Sequence, residues 1–213
     1  GDLTVDGTGN WAYNADNTQA AIQSLGNGEA LTDTITVTSL GGITQDIVIT
    51  ISGVDDAAVI SGDVAGAVSE DADAATLTTT GVLSVSDVDA NDSWSFDAAS
   101  IAGTYGTLTI DTAGNWSYSA DNTQAAIQSL GGGDTIDDAI VVTSTDGSTQ
   151  TVTITITGTN DAAAISGDVS SAVIEDADSA SLTTNGTLSI SDVDSNEAQF
   201  VAEIITGPYG ILT

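Results

Sequence analysis

Thr149-Gln150-Thr151-Val152-Thr153-Ile154-Thr155-Ile156-Thr157 runs straight into Gly158-Thr159-Asn160-Asp161-Ala162. The first nine residues alternate polar with apolar, and most are β-branched. That is the period-2 pattern of a strand with one face on a core. The next five are turn and linker residues. An earlier β-rich run ends in the same way, at Gly53-Val54-Asp55-Asp56-Ala57.

Working outward, strand patterns also occupy Leu77 to Ser86, Thr107 to Ile110, Asn115 to Ser119 and Ala139 to Ser144. Asp111-Thr112-Ala113-Gly114 reads as a hairpin turn between two of them. Asn122 to Leu130 places Ala125, Ala126, Ile127 and Leu130 at helical spacing before Gly131-Gly132-Gly133, which predicts a short helical turn across one end of the sheets. About seven short strands in roughly 100 residues predict an all-β, immunoglobulin-like or cadherin-like β-sandwich.

The pattern repeats. Asn10-Trp11 returns as Asn115-Trp116, 105 positions on, and Asp16 to Leu25 returns letter for letter at Asp121 to Leu130. Ser61-Gly62-Asp63-Val64 returns at Ser166 to Val169, and Asp87-Val88-Asp89 at Asp192 to Asp194. Near the end the offset falls to 104, where Tyr105-Gly106 pairs with Tyr209-Gly210. A period this long is one small domain rather than one turn of a solenoid. With the linkers as boundaries, 57–161 is one complete domain. Residues 1–56 are then the C-terminal part of a preceding repeat, and 162–213 the N-terminal part of the next.

The charge is extreme: 31 acidic residues and no Lys, Arg or His in 213, for a net charge of −31. Salt bridges between side chains are impossible, so each carboxylate must be solvated, hydrogen-bonded, protonated or bound to a cation. No side chain can neutralise a phosphate, which excludes nucleic acid and direct contact with an anionic membrane as partners. There is no cysteine, hence no disulfide and no thiolate chemistry. No apolar run is long enough to span a bilayer. The chain starts inside a repeat, so the lack of a leader says nothing about export.

Topology predicts where the acids gather. The first strand of 57–161 runs away from Asp56, which carries Glu70-Asp71-Ala72-Asp73 to the far end. The next strand returns and sets Asp87 and Asp89 beside Asp55 and Asp56. The last strand, Thr149 to Thr157, delivers Asn160 and Asp161 to the far end, where Asp192 and Asp194 of the following repeat also face. The joint after 158 thus gathers Glu70, Asp71, Asp73, Asn160, Asp161, Asp192 and Asp194. Asp55, Asp56, Asp87 and Asp89 form the lower half of the joint before it, and Glu175 and Asp178, with Asp176 between them, the upper half of the joint after it. So many oxygens repel one another without a cation, and Ca2+, which takes 6–8 oxygen ligands, suits them. The plainer reading is that Asp-rich turns are solvated and cap themselves.

These residues resemble a known family. Tyr105-Gly106-Thr107-Leu108-Thr109-Ile110-Asp111, Gly114-Asn115-Trp116-Ser117-Tyr118, Gly158-Thr159-Asn160-Asp161-Ala162 and the stretch Leu77 to Asp89 are similar to the VCBS-type repeats of large bacterial RTX-like surface adhesins. The resemblance covers the whole chain. It implies tandem extender domains, export by type I secretion, calcium dependence and a place outside the cell or on its surface. The joints are similar to those of cadherins, where an upstream Glu, a linker Asn-Asp and a downstream Asp-x-Asp share calcium. One departure is that Ala58 and Ala163 stand where the family usually has Pro.

Other readings are weaker. Asp87-Val88-Asp89-Ala90-Asn91 starts like an EF-hand loop, but Asp92 holds the glycine position and Ala98 the closing one, so an EF-hand is rejected. Asp2, Asp6 and Asp111 read as turn residues. Trp11 with Tyr13, and Trp116 with Tyr118, read as core pairs rather than a sugar-stacking platform, and Trp94 has no assigned place. The glycine run lacks the Lys of a phosphate loop. No catalytic residue is expected, so the leading expectation is a non-catalytic extender whose partners are its neighbouring repeats. Two alternatives stay open. One is a filament subunit in which 162–213 of one chain and 1–56 of an identical chain complete a domain head to tail. The other is an accessory carbohydrate-binding domain of a secreted enzyme.

Overall fold

A computed structural model describes residues 1–70, 75–90, 95–175 and 180–213. In chain order the elements are β1 (Asp2–Val5), β2 (Trp11–Asn14), α1 (Ala20–Gln23), β3 (Ala30–Thr38), β4 (Thr44–Ser52), β5 (Val59–Gly62), β6 (Ala65–Ser69), β7 (Thr76–Ser86), β8 (Ala99–Ala102), β9 (Gly106–Ile110), β10 (Asn115–Asp121), α2 (Ala125–Gln128), β11 (Thr135–Thr143), β12 (Thr149–Thr157), β13 (Ala164–Gly167), β14 (Leu188–Ser191), β15 (Ile205–Thr206) and β16 (Ile211–Leu212). No described helix is long and apolar enough to cross a membrane.

β5 to β12 form a sandwich of a five-stranded sheet, in the order β5-β7-β10-β9-β8, and a three-stranded sheet, β11-β12-β6. The alternation of 149–157 does what its period requires: Val152, Ile154 and Ile156 are fully buried while the threonines between them face outward or the edge. Leu83, Phe96, Leu108, Trp116 and Tyr118 pack against them. The core-pair reading of Trp116 and Tyr118 holds, since they are 2% and 1% exposed.

The first strand of the sandwich splits between the two sheets. β5 pairs antiparallel with β7, and β6 then pairs parallel with β12, from Thr153↔Ala65 to Thr157↔Ser69. The sequence reading saw one strand here and did not separate β5, β6 or β8. The predicted hairpin turn is present: Asp111 accepts from the backbone N–H of Ala113 and Asn115, both at 2.9 Å, and Gly114 takes φ 85°. Asp6 makes the equivalent turn through Thr8 and Asn10, but Asp2 lies in β1 and is not a turn residue. The helical segment is a single turn. Only Ile127 and Leu130 of its four apolar residues are buried, and they plug one end of the sandwich.

Two further contacts tie the sandwich together. Ala58 donates its N–H to Asp146 Oδ2 at 3.0 Å, a bond that the proline expected at this position could not make. Asp138 is fully buried in β11, beside Tyr118. β1 to β4 and β13 to β16 form isolated hairpins on either side of this sandwich, each pair sharing its own two-stranded sheet.

Candidate metal centre at the joints

At the far end of the sandwich, the end of β12 and the residue after β6 are stitched together. Glu70 donates its N–H to Thr157 O at 2.8 Å, so its side chain lies under the linker. Glu70 Oε2 accepts from Thr159 N–H at 3.2 Å, and Oε1 accepts from Gln128 Nε2 at 2.7 Å. The side chain is 2% exposed. Burial raises its carboxyl above the ordinary value; the Thr159 bond opposes this, and the charges of Asp161 and Asp194 add to the rise.

The linker then docks on the next repeat. Asp161 donates its N–H to Asp194 Oδ2 at 2.8 Å, and Asp194 donates its own N–H to Asp192 Oδ1 at 3.0 Å. Asp194 is buried, and its Oδ1 has no hydrogen-bond partner among the described residues. Ser195 donates to the carbonyl of Ser129, the cap of α2, at 3.0 Å. The helical turn is therefore the seat on which the next repeat's acidic loop rests.

The same construction occurs one repeat earlier. Asp56 donates to Asp89 Oδ2 at 2.7 Å, Asp89 donates to Asp87 Oδ1 at 3.0 Å, and Ala90 donates to the carbonyl of Ser24, the cap of α1, at 3.1 Å. Asp89 is fully buried; its Oδ1 and Oδ2 of Asp87 lack partners among the described residues.

Of the sequence-predicted site residues, the structure brings Glu70, Asp161, Asp192 and Asp194 together at one joint, and Asp56, Asp87 and Asp89 at the other. Asn160 is exposed and turns its amide onto Asp161 O at 2.6 Å. Asp55 and Glu175 are exposed. Asp71, Asp73, Asp176 and Asp178 lie outside the described residues, as do Asn91, Asp92 and Trp94. Among the described residues no group of three or more carboxylates is placed so that it could hold a metal ion.

The donor set nonetheless fits a hard cation. A buried carboxylate oxygen without a hydrogen bond is costly, and three of them stand at the two joints. All are hard oxygen donors, the type Ca2+ takes. A cation there would be held by Asp87 and Asp89 at the first joint, and by Glu70 and Asp194 at the second. Its chemistry would be structural: it neutralises charge and ties one repeat to the next.

Residues 55–158 match the family model of the bacterial cadherin-like domain.

That match spans the sandwich and reaches the first joint at Asp55 and Asp56, though not the linker at Asn160. No curated protein matches the chain. Among solved structures, one similar chain is described as a Ca2+-stabilized adhesin that helps an Antarctic bacterium reach out and bind ice. It shows 18% identity and a TM-score of 0.29, over 62% of this chain and 32% of that one. A second belongs to a study of host cell surface retention by a 1.5-MDa bacterial ice-binding adhesin. It shows 17% identity and a TM-score of 0.29, over 62% of this chain and 42% of that one. The chain thus spans less than half of either structure.

Sequence reasoning missed Asp138, which has no part in the joints but locks the sandwich. It accepts from the N–H of Thr104 at 2.7 Å, Tyr105 at 3.0 Å and Gly106 at 2.9 Å, and from the Tyr118 hydroxyl at 2.8 Å. Burial alone would raise this carboxyl; the four donors outweigh it and hold it below the ordinary carboxylate range. Its inward register with Ile140 and Val142 was the available signal. The seats at Ser24 and Ser129 are backbone carbonyls, which leave no mark on a sequence.

Proposed function

We propose that this chain is a run of non-catalytic extender repeats in a bacterial surface or secreted adhesin. Ca2+ stiffens the joints so that the array projects a distal binding module. The observation that carries this reading is the pair of buried, unpartnered carboxylate oxygens, Asp89 Oδ1 and Asp194 Oδ1, at the same place in successive joints. The ligands would be Glu70, Asn160, Asp161, Asp192 and Asp194 at the second joint, joined by Asp71 and Asp73. Asp55, Asp56, Asp87 and Asp89 would serve the first, and Glu175 and Asp178 the one that follows. The complete repeat would be 57–161, with parts of its neighbours at 1–56 and 162–213. The location would be extracellular and the natural partners the adjoining repeats.

The physical logic is electrostatic. At net charge −31 the repeats repel one another, and each joint holds its linker through a few hydrogen bonds at most. Screening by salt weakens that repulsion without fixing an angle. A cation shared between Asp194 above and Glu70 below both neutralises and orients.

The test is thermal unfolding in calcium, in chelator, and in magnesium at matched ionic strength. Ligand at one hundred times its dissociation constant adds about 2.7 kcal/mol of stability. A calcium-specific rise in Tm supports the reading; an equal response to magnesium or plain salt overturns it.

A further inference from the structure

At both joints the following repeat's acidic loop is gripped from two sides. From one side comes the linker: Asp161 N–H reaches Asp194 Oδ2 at 2.8 Å, and Asp56 N–H reaches Asp89 Oδ2 at 2.7 Å. From the other side comes the end of the helical turn. Ser129 O accepts from Ser195 N–H at 3.0 Å, and Ser24 O accepts from Ala90 N–H at 3.1 Å. The two grips thus fall on adjacent residues of the loop.

The two sides form one block. Gly158 donates to Asp134 O at 2.8 Å and accepts from Gly133 N–H at 3.2 Å. It lies so close under Leu130 O and Gly131 O that a Cβ on it would strike both. Gly53 lies in the same way under Leu25 O and Gly26 O, and donates to Glu29 O at 2.9 Å. The root of the linker and the end of the helical turn therefore move together.

The contact with the next repeat is a close backbone approach. Ser24-Leu25-Gly26 and Ser129-Leu130-Gly131 are identical, and both last glycines are buried. Neither glycine takes a positive φ, so the backbone does not require it; the space does. The three atoms nearest a Cβ added at Gly26 all belong to Asp89, 3.6 to 3.8 Å away. At Gly131 the nearest is Glu197 Oε1, 2.8 Å away. Both glycines face across the joint, toward the following repeat.

We propose that Ser24–Gly26 and Ser129–Gly131 are docking surfaces for the acidic loop of the following repeat, and that they set the direction of each joint without a cation. One carboxylate divides the work. Asp89 and Asp194 each commit Oδ2 to the linker and leave Oδ1 without a partner. The seat itself joins a backbone N–H to a backbone C=O, neither of which carries a net charge for salt to screen. A cation at Oδ1 adds to this arrangement and is not its source, so the surface stands apart from the calcium reading. The partner it fits is an Asp-Val-Asp loop with an N–H just past its second Asp, as at 87–89 and 192–194. Because the same bonds recur at both joints, successive repeats take the same orientation on one another.

Amide hydrogen exchange of the isotope-labelled full chain, followed by NMR in chelator and in calcium, tests this. In both media the Ala90 and Ser195 amides are expected to exchange about tenfold or more slowly than in an unfolded peptide. Gly26→Leu drives a side chain into the first joint and is expected to speed Ala90 about tenfold, leaving Ser195 and Ile154 unchanged. Gly131→Leu is expected to speed Ser195 alike, leaving Ala90 and Ile154 unchanged. Alanine at either position fits beside the loop after a small shift of one carboxylate, and is expected to leave all three as in wild type. Amides that exchange at the unfolded rate in chelator overturn the proposal. So does a Leu variant that spares its own joint's amide or frees Ile154 as well, and so does an Ala variant that acts as strongly as Leu. A missing calcium-specific Tm rise beside protected Ala90 and Ser195 overturns the calcium reading and leaves this one standing.

Discussion

The Tyr118 hydroxyl donates to Asp138 Oδ2 at 2.8 Å inside the sandwich, while three backbone N–H groups from 104 to 106 converge on the same carboxylate. The bond joins β10 of one sheet to β11 of the other. Asp138→Ala orphans four donors, each at about 1–3 kcal/mol, for a loss on the order of 4 kcal/mol. Calorimetry should show the melting point of the full chain fall by roughly 20 °C. Tyr118→Phe removes one donor and leaves the carboxylate three; about 1 kcal/mol is expected.

The same carboxyl sets an acid limit. Its folded-state value lies below its ordinary 3.8, so it contributes stability above 3.8 that is lost as pH falls through the lowered value. Glu70 has the opposite sign. Its value is raised above 4.5, so in chelator its contribution is full below 4.5 and disappears as pH rises through the raised value. Wild type in chelator should therefore be less stable at neutral pH than slightly above 4.5, and Glu70→Gln should flatten that slope. Tm against pH for both chains checks this.

Asp194→Asn separates charge from hydrogen bonding. The amide oxygen still accepts from Asp161 N–H, while the unpaired buried anion is gone. In chelator the variant should match wild type or melt a few degrees higher. In calcium it should lose the part of the Tm rise that belongs to the second joint. Asp89→Asn should behave alike at the first joint, and the double variant should show no calcium response.

Gly81→Ala introduces a Cβ where the Trp116 ring already lies, 2.5 Å from Cζ2. The ring is held by Asp63 O and cannot swing away without losing that bond. A loss of about 1–3 kcal/mol is expected from overpacking, with the same midpoint by tryptophan fluorescence and far-ultraviolet circular dichroism.

What the sequence disclosed depended on pattern strength. Val152, Ile154 and Ile156 alternate with threonine and could only be a half-buried strand. Val59–Gly62 and Ala65–Ser69 are short and rich in small residues, and the switch between sheets near Asp63 has no period of its own. Asp89 and Asp194 were legible because the repeat and the strand directions together placed them beside the linker. Asp138 was not, because its place on the apolar face with Ile140 and Val142 does not name the donors from 104 to 106 that satisfy it. Gln128 was likewise missed, since its role at Glu70 depends on where a single helical turn ends.

The parallel pairing of β6 with β12 has a mechanical consequence. The chain enters the sandwich through β5, which leads into β6, and leaves from the end of β12, so pulling on the two ends draws β6 and β12, neighbours in one sheet, past each other. The bonds from Thr153↔Ala65 to Thr157↔Ser69 are then loaded together in shear, not opened one by one as in a peeled hairpin. A repeat built this way resists stretching until the whole ladder gives at once.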